Sequence, residues 1–524
     1  MTGQRGGSRF RIPVWVWWVA GGVAVIGVAL AVAAARLGPI VKQRALHVLE
    51  ERYQSQVTLG AFHLALFPRV SVTGENLTFR HYGDTDRPPL VTIRKFVVHA
   101  SVPALLATPM RIGRLQLEGL VLHVPHKGSG PPNPHNEKVK TTTNSGSSLL
   151  IIDEIDADGT LLEILPKTAG KEPLDFEIKK LQLHSIGKDR PMEFKATLTN
   201  AKPPGLIQSS GHFGPWQNED PGATPLDGHY TFDNADLGVF SGISGILSST
   251  GDYKGILQRI EVSGTTDTPD FLVKTSDNKV HLVTDFQAIV DGTDGDTYLQ
   301  PVNAHFLQTS FTCQGKVEGV PGVKGKTIAL DVVTNGARIE DLLRLAVKGN
   351  TPIMTGSAQF HAKFVLPPGD SDVMQRLELA GKFGVLAAHF TSEGIQGKVA
   401  EFSRRSQGRM HDEELQARPE SVASNLTADL NLKDATARFK QLAFSVPGAD
   451  VQLTGSYGLR SEQIQFTGVL RMQARLSQTT TGWKSLLLKA VDPFFAKDGA
   501  GAVVPIKIEG TREYPKFGLN LHGK

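Results

Sequence analysis

The sequence predicts a mainly β chain: a single N-terminal transmembrane helix followed by an elongated, curved, mostly antiparallel β-sheet with an open groove and a few short helices. Three observations predict it. The run from Val14 to Ala35 carries no charged side chain. Apolar residues alternate with polar ones along most of the remaining chain, the period of a strand. The 54 glycines and 30 prolines supply turns in number. A length of 524 residues fits a few compact domains or one long repetitive body. A net charge of +4 with 21% charged residues gives no basic face of the kind nucleic acid requires, so no nucleic-acid partner is expected. The one cysteine, Cys313, excludes an intramolecular disulfide framework and a Cys-rich metal site.

At about 1.5 Å rise per residue, roughly 22 residues from Val14 to Ala35 cover about 33 Å, enough for a hydrocarbon core. Residues 14–37 are therefore expected to span a membrane. Arg5, Arg9 and Arg11 precede the span and no acid occurs before Glu50, which places residues 1–13 in the cytoplasm and exports the rest. Trp15, Trp17 and Trp18 crowd the cytoplasmic end, where indoles favour the headgroup boundary. The rival reading is a cleaved signal peptide, with Ala33 and Ala35 as a small-residue cleavage site before Arg36. The apolar run is longer than such a segment needs.

Residues 38–56 follow as a membrane-proximal amphipathic helix: from Ile40 to Tyr53, Val41, Ala45, Val48 and Leu49 form one stripe. Strand-like alternation begins after it. It pairs Val70 with Val72, then Leu77 with Phe79, Val91 with Ile93, and Leu115 with Leu117 before restarting at Leu120. It continues through Phe176/Ile178, Tyr230/Phe232, Leu282/Phe286, Leu330/Val332, Val451/Leu453 and Ile464/Phe466. About twenty strands are expected, in two sections, 57–273 and 274–524. Helical periodicity is expected at Asp236–Leu247, Arg338–Val347 and Trp483–Phe495. Pro125–Ser148 and Ser403–Ser421 lack core-forming residues and read as loops. Ile260–Val273 and Ile506–Leu519 share Gly-Thr, Pro and Phe at equal offsets; both are expected to turn at the glycine and re-enter a strand at the proline.

No catalytic constellation is legible. GVPGVKGKT at Gly319–Thr327 lacks the first glycine of a phosphate loop and leads into a strand. Asp291, Asp294 and Asp296 break the spacing of a calcium loop and read as a hairpin turn. His123, His126 and His135 are irregularly spaced, and His411 to Glu414 lie in a charged loop, so neither set reads as metal ligands. Cys313 has no basic neighbour in sequence to activate it. No metal, no cofactor and no enzymatic activity are expected.

A sheet of about twenty strands at about 4.8 Å spacing would extend to about 100 Å. With the apolar positions on its concave side, it forms a trough that water solvates poorly and acyl chains fill, at about 0.8 kcal/mol per buried CH₂. The alternating residues from Val70 to Phe466 named above are the candidate lining.

The stretches RALHVLEERYQSQVTLGAFHLALFPRVSVTGENLTFRH (Arg44–His81) and ATPMRIGRLQLEGLVLHVP (Ala107–Pro125), with the C-terminal DPFFAKDGAGAVVPIKIEGTREYPKFGLNL, resemble the AsmA-like family. Leu66-Phe67-Pro68 followed by alternating residues is a family-like entry to the first sheet. The resemblance implies an envelope protein held in the bacterial inner membrane, with a periplasmic β-body similar to chorein-type bridge-like lipid-transfer proteins. The implied partners are phospholipid acyl chains, the inner membrane and other envelope proteins. Phospholipid transport or outer-membrane lipid homeostasis is the expected function; the alternative is an assembly scaffold for outer-membrane protein biogenesis.

Overall fold

The computed structural model describes residues 32–50, 55–67, 70–81, 88–124, 150–164, 174–186, 191–217, 220–274, 276–349, 351–369, 371–409, 422–479 and 501–520. The chain is mainly β, with 25 strands hydrogen-bonded into a mostly antiparallel sheet. The expected membrane span lies outside the described residues except for positions 32–37, which open a helix, α1, over residues 32–50. Among the described residues no helix is long and apolar enough to cross a membrane. The expected loop at 125–148 and the expected helix at 483–495 lie outside them too.

The chain divides into two compact units. One is Met1–Leu165 with Pro173–Thr199 and Gln208–Asp227; the other is Gly228–Lys524 with Pro166–Glu172 and Asn200–Ile207.

The first unit opens with α1 and the strands β1 (Ser55–Leu59), β2 (Phe62–Ala65), β3 (Ser71–His81) and β4 (Val91–His99). The short helix α2 (Val102–Leu106) precedes β5 (Met110–Val124), β6 (Leu150–Ile164) and β7 (Leu174–Ile186). Ser101 caps α2, its hydroxyl accepting from the Ala104 N–H at 3.3 Å. β5 and β6 pair in parallel; every other registered pair of the unit is antiparallel.

The restart of the alternation after Val72 and after Leu117 has a structural cause. Asn76, Gly119 and Gly159 take left-handed φ values of 54°, 65° and 65°, so each strand advances one residue without turning its apolar side outward. Register aligns the slip across the sheet: Glu75 faces Lys95, Lys95 faces Glu118, Glu118 faces Asp158, and Asp158 faces Lys180. That row of mostly alternating charge lies between the two halves of the core.

Nineteen buried apolar residues form one cluster in this unit, from Val41 and Val57 to Ile178 and Leu181. α1 contributes Val41, 2% exposed, with Ala45, Leu46, Val48 and Leu49 against the same cluster. These are the residues of the stripe read from the sequence, so the helix lies on the apolar face. Arg44 of α1 donates to the Ala107 carbonyl at 3.2 Å and to the Thr108 hydroxyl at 2.7 Å, tying it to the end of α2.

Next in the chain come β8 (Met192–Ala201), β9 (Pro204–Phe213), β10 (Pro225–Asp236), β11 (Ile243–Ser244) and β12 (Ile246–Ile256). The second unit then runs as a meander: β13 (Arg259–Val273), β14 (Val280–Val290), β15 (Thr297–Phe306), β16 (Thr309–Gly319) and β17 (Lys326–Arg338). Helix α3 (Ile339–Ala346) leads to β18 (Met354–Leu366), and α4 (Val373–Arg376) to β19 (Glu378–Phe390). Helix α5 (Glu393–Ser406) precedes β20 (Ser424–Lys433), β21 (Thr436–Val446), β22 (Ala449–Gly458) and β23 (Gln463–Met472). β24 (Ala502–Thr511) and β25 (Pro515–Leu519) close the described chain.

Three expectations need correction here. Asp236–Leu247 is a single 3-10 turn at Leu237–Val239 followed by strand residues. Asp236 turns back to accept from the Gly238 N–H at 2.7 Å, and Gly242 and Gly245 adopt φ of 90° and 141°, which no helix continues. Residues 403–406 are not loop but the last turn of α5; 410–421 lie outside the described residues. The two repeat copies differ in structure: Ile260–Val273 stays within the single strand β13, whereas Ile506–Leu519 is the expected hairpin of β24 and β25. Gly510 takes a left-handed φ of 107° and permits the turn; Gly264 is held in extended pairing between Gly251 and Phe286.

α3 answers to its expected position, Arg338–Val347. It clasps neighbouring turns: buried Asp341 accepts from the Gln308 N–H at 3.0 Å and the Thr309 hydroxyl at 2.9 Å. Asn278 donates to the Arg344 and Val347 carbonyls at 2.9 and 3.0 Å.

Candidate functional site: an apolar lane on the second unit

Directly paired residues of neighbouring strands share a face, so the register can be followed across the unit. Gly264 pairs with Phe286 and Thr268 with Leu282. Leu282 pairs with Phe306, Ala304 with Phe311, and Val302 with Cys313. Cys313 leads to Val332 and Gly315 to Leu330, and these to Ala362 and Phe364. Phe360 pairs with Phe383, Phe383 with Ala428, and Ala428 with Leu442. Leu442 then meets Leu453, Phe444 meets Val451, Gly455 meets Phe466, Tyr457 meets Ile464, and Phe466 meets Ile508.

One side of β13 to β24 therefore carries Leu282, Phe286, Leu330, Val332, Val451, Leu453, Ile464 and Phe466 together. Among the registered positions on that side the one charged residue is Lys326, at the start of β17, whose ammonium turns to the Gly295 carbonyl and to Asp296 at 3.5 Å. At about 4.8 Å per strand the lane is about 50 Å across. β-Bulges keep the phase, as at Asp285/Ala288 and Leu299/Val302.

The lane is only partly covered. Most of its large side chains, Phe286, Leu330, Phe360, Phe383 and Ile508 among them, are half-buried. Its buried clusters are small and sit toward one end of the unit: four residues where α5 sets Val399, Ala400 and Phe402 against Phe444, Val446, Ala449 and Leu470, and three at Met472, Ala502 and Val504. Ring contacts punctuate the rest, Phe360 stacking on Phe383 at 5.8 Å and Phe439 tilting onto Phe466 at 5.4 Å between centroids.

The opposite face is polar and exposed. It carries His281–Asp267 at 2.8 Å, Lys316–Glu318 at 2.6 Å and His361–Asp331 at 2.7 Å. Two shallow clefts of about 400 and 390 Å³ are lined mainly by polar side chains, such as Asp252, Asp285 and Gln287 in one and Lys382, Asp429 and Gln441 in the other. Neither extends the apolar lane.

Other expected lining residues have different surroundings. Tyr230 joins the lane side, its ring over Gly251 and its hydroxyl 3.0 Å from the Ser249 hydroxyl; burial raises its phenol pKa. Phe232 is half-buried, with its ring against Gly205. In the first unit, Val72, Leu77, Phe79, Ile93, Leu117 and Ile178 are buried in the core, with Val91, Leu115 and Phe176 packed against it. Val70 is half-buried just before β3. These residues face other side chains rather than an open surface.

Sequence reading passed over Phe306, Phe311, Phe360, Phe383, Phe439 and Phe444. Their signal was present: Phe360-Ala362-Phe364 and Gly381-Phe383-Val385 alternate as plainly as the segments that were singled out.

The described chemistry-bearing motifs hold turns together. In the Asp291 turn, Asp291 accepts from the Thr293 N–H at 2.8 Å, Asp294 from the Asp296 N–H at 3.1 Å, and Asp296 from the Gly319 N–H at 2.8 Å. The phosphate-loop-like stretch is the turn between β16 and β17. His123 lies 2.6 Å from the Pro89 carbonyl and 3.3 Å from Glu163; His126, His135 and His411–Glu414 lie outside the described residues. Cys313 is half-buried on the lane, and burial pushes its thiol pKa up, away from the reactive thiolate. Among the described residues no group of three or more His, Cys, Asp or Glu is placed to hold a metal. Compared with family models, curated proteins and solved structures, the chain matches none.

Proposed function

We propose that this chain is a membrane-anchored lipid-binding protein whose second unit holds acyl chains along the apolar lane. In this reading the N-terminal span sits in an inner membrane, the β-body lies in the periplasm as an elongated, curved, open groove, and the protein contributes to phospholipid transport or outer-membrane lipid homeostasis. One observation carries it: twelve consecutive strands present an apolar face, charged only at Lys326 on its margin, whose large side chains stay half-exposed. Such a surface is costly in water, and covering it with hydrocarbon recovers about 0.8 kcal/mol per CH₂ buried. The lane offers many similar positions and no single deep cavity, so a bound chain slides rather than locks. Hydrocarbon is assigned to the second unit because α1 and its neighbours already fill the first.

The only cysteine provides the test, since Cys313 sits on the lane. A polarity-sensitive fluorophore attached there in the full chain is expected to shift to the blue on addition of phospholipid vesicles, and phospholipid is expected to co-purify by mass spectrometry. Leu330→Asp is expected to remove both signals while leaving the circular dichroism spectrum intact. A label that ignores lipid, together with lipid-free protein, would overturn the proposal and favour the scaffold alternative.

A further inference from the structure

The one registered partner of β25 is β24, so among the described residues no strand lies along its other side. Asn520 donates its N–H inward to the Pro505 carbonyl at 3.1 Å. Main-chain groups alternate along an antiparallel strand, so Gly518 and Lys516 also bond inward. The N–H and C=O of Phe517 and Leu519, and the C=O of Pro515, then point away from the sheet. The most exposed apolar side chains of this region lie at the same place: Phe517 is 75% exposed, Tyr514 71% and Leu519 50%. An unpaired edge bearing exposed aromatic residues is a template for another strand.

We infer that a second copy of this chain occupies this edge, β25 running antiparallel to the partner's β25 about a two-fold axis through Phe517. The register is self-complementary. Phe517 and the partner's Phe517 exchange two main-chain bonds, and each Leu519 N–H reaches the opposite Pro515 carbonyl. Lys516 falls opposite a glycine, Gly518, which leaves the long side chain room. Centring the axis on Lys516 instead sets two lysines face to face, which is unfavourable. The other end of the strand order offers no comparable edge: β1 and β2 pair separate halves of β3 and are interrupted at Gly60 and Ala61. A head-to-tail chain of copies is disfavoured accordingly.

The joint has a consequence for the lane. Phe517 and Leu519 pair with Ile508 and Ile506, on the apolar side, and a two-fold axis perpendicular to the sheet keeps both copies' apolar sides together. Two lanes would meet end to end. The inference rests on the edge alone and stands whether or not lipid occupies the lane.

Sedimentation of the full chain in detergent is expected to show a concentration-dependent dimer. In a chain carrying Cys313→Ser and Phe517→Cys, a short bifunctional thiol reagent is expected to give a covalent dimer, whereas Cys313→Ser with Thr454→Cys, on the polar face, is not. Leu519→Pro removes an outward N–H and no inward one, so it is expected to weaken self-association on the order of tenfold while leaving the circular dichroism spectrum unchanged. A chain that stays monomeric at high concentration with no cross-link at position 517 overturns the inference. So does a ladder of higher oligomers that forms without that cross-link.

Discussion

In the first unit nineteen buried side chains and α1 fill the face that alternation creates, whereas in the second the same pattern leaves clusters of only four and three at one end and a long half-exposed surface between. The strands do not differ in kind. What differs, among the described residues, is whether an element lies across them. An amphipathic helix with Val41 and Leu49 on one stripe covers the first face. Among the described residues, the second unit uses α3 to fasten turns and lays only α5 on part of its apolar side. Alternation therefore specifies which side is oily, and a separate segment decides whether that side is a core or a surface.

The largest effect should come from comparing like residues across the two settings. Phe96, 8% exposed, lies over Gly74 in the first unit; Phe96→Ala is expected to cost about 3–5 kcal/mol. Phe383→Ala, on the half-exposed lane, should cost only about 1 kcal/mol because less surface is recovered there. Urea denaturation followed by hydrogen exchange in each unit reads both. Equal losses would erase the distinction between core and lane.

A smaller effect is expected where α3 fastens the turns. Asp341→Ala removes a buried acceptor and leaves the Gln308 N–H and the Thr309 hydroxyl without their partner, a loss of about 1–3 kcal/mol. Amide exchange should rise first at Gln308. If instead the lane strands lost protection as a whole, α3 would be holding the face and not merely its margin.

The smallest effect is electrostatic and confined to the first unit. Asp156 is raised by burial, but hydrogen bonds from Gln182 at 3.0 Å and Arg114 at 2.7 Å, with the Arg114 and Lys180 charges, outweigh that and lower its pKa. A depressed carboxylate pKa adds stability above the unfolded-state value, which is lost as pH falls through the folded-state value. The first unit should therefore weaken on acidification over that window, and Arg114→Leu should flatten the dependence. NMR titration of the Asp156 carboxyl carbon gives the midpoint directly.

Much of this was legible in the sequence, for particular reasons. The stripe Val41-Ala45-Val48-Leu49 identified α1 and its inward side because helical period survives without knowledge of the partner. Leu282 to Phe466 could be picked out because each lies in a strand of alternating residues between turns, and the register puts them on one side. The restarts after Val72 and Leu117 were visible too, though their cause, left-handed Asn76 and Gly119, appears only in the backbone. Packing was not legible: Leu117 and Leu330 look alike in sequence, yet one is core and the other half-exposed. Turn prediction failed at Gly264 because pairing on both sides overrides a local Gly-Thr signal. The helix expected from Asp236 failed because the Asp236 side chain and two left-handed glycines favour a different local structure.

The aligned slip through Asn76, Gly119 and Gly159 constrains how this part of the chain can change length. Deleting Gly119 alone would return β5 to plain alternation, leaving Leu120 and Leu122 on the apolar side but one residue out of register with their neighbours in β4 and β6. Insertions and deletions in these strands are thus tolerated only in concert, and the row behaves as one heritable seam rather than as separate positions.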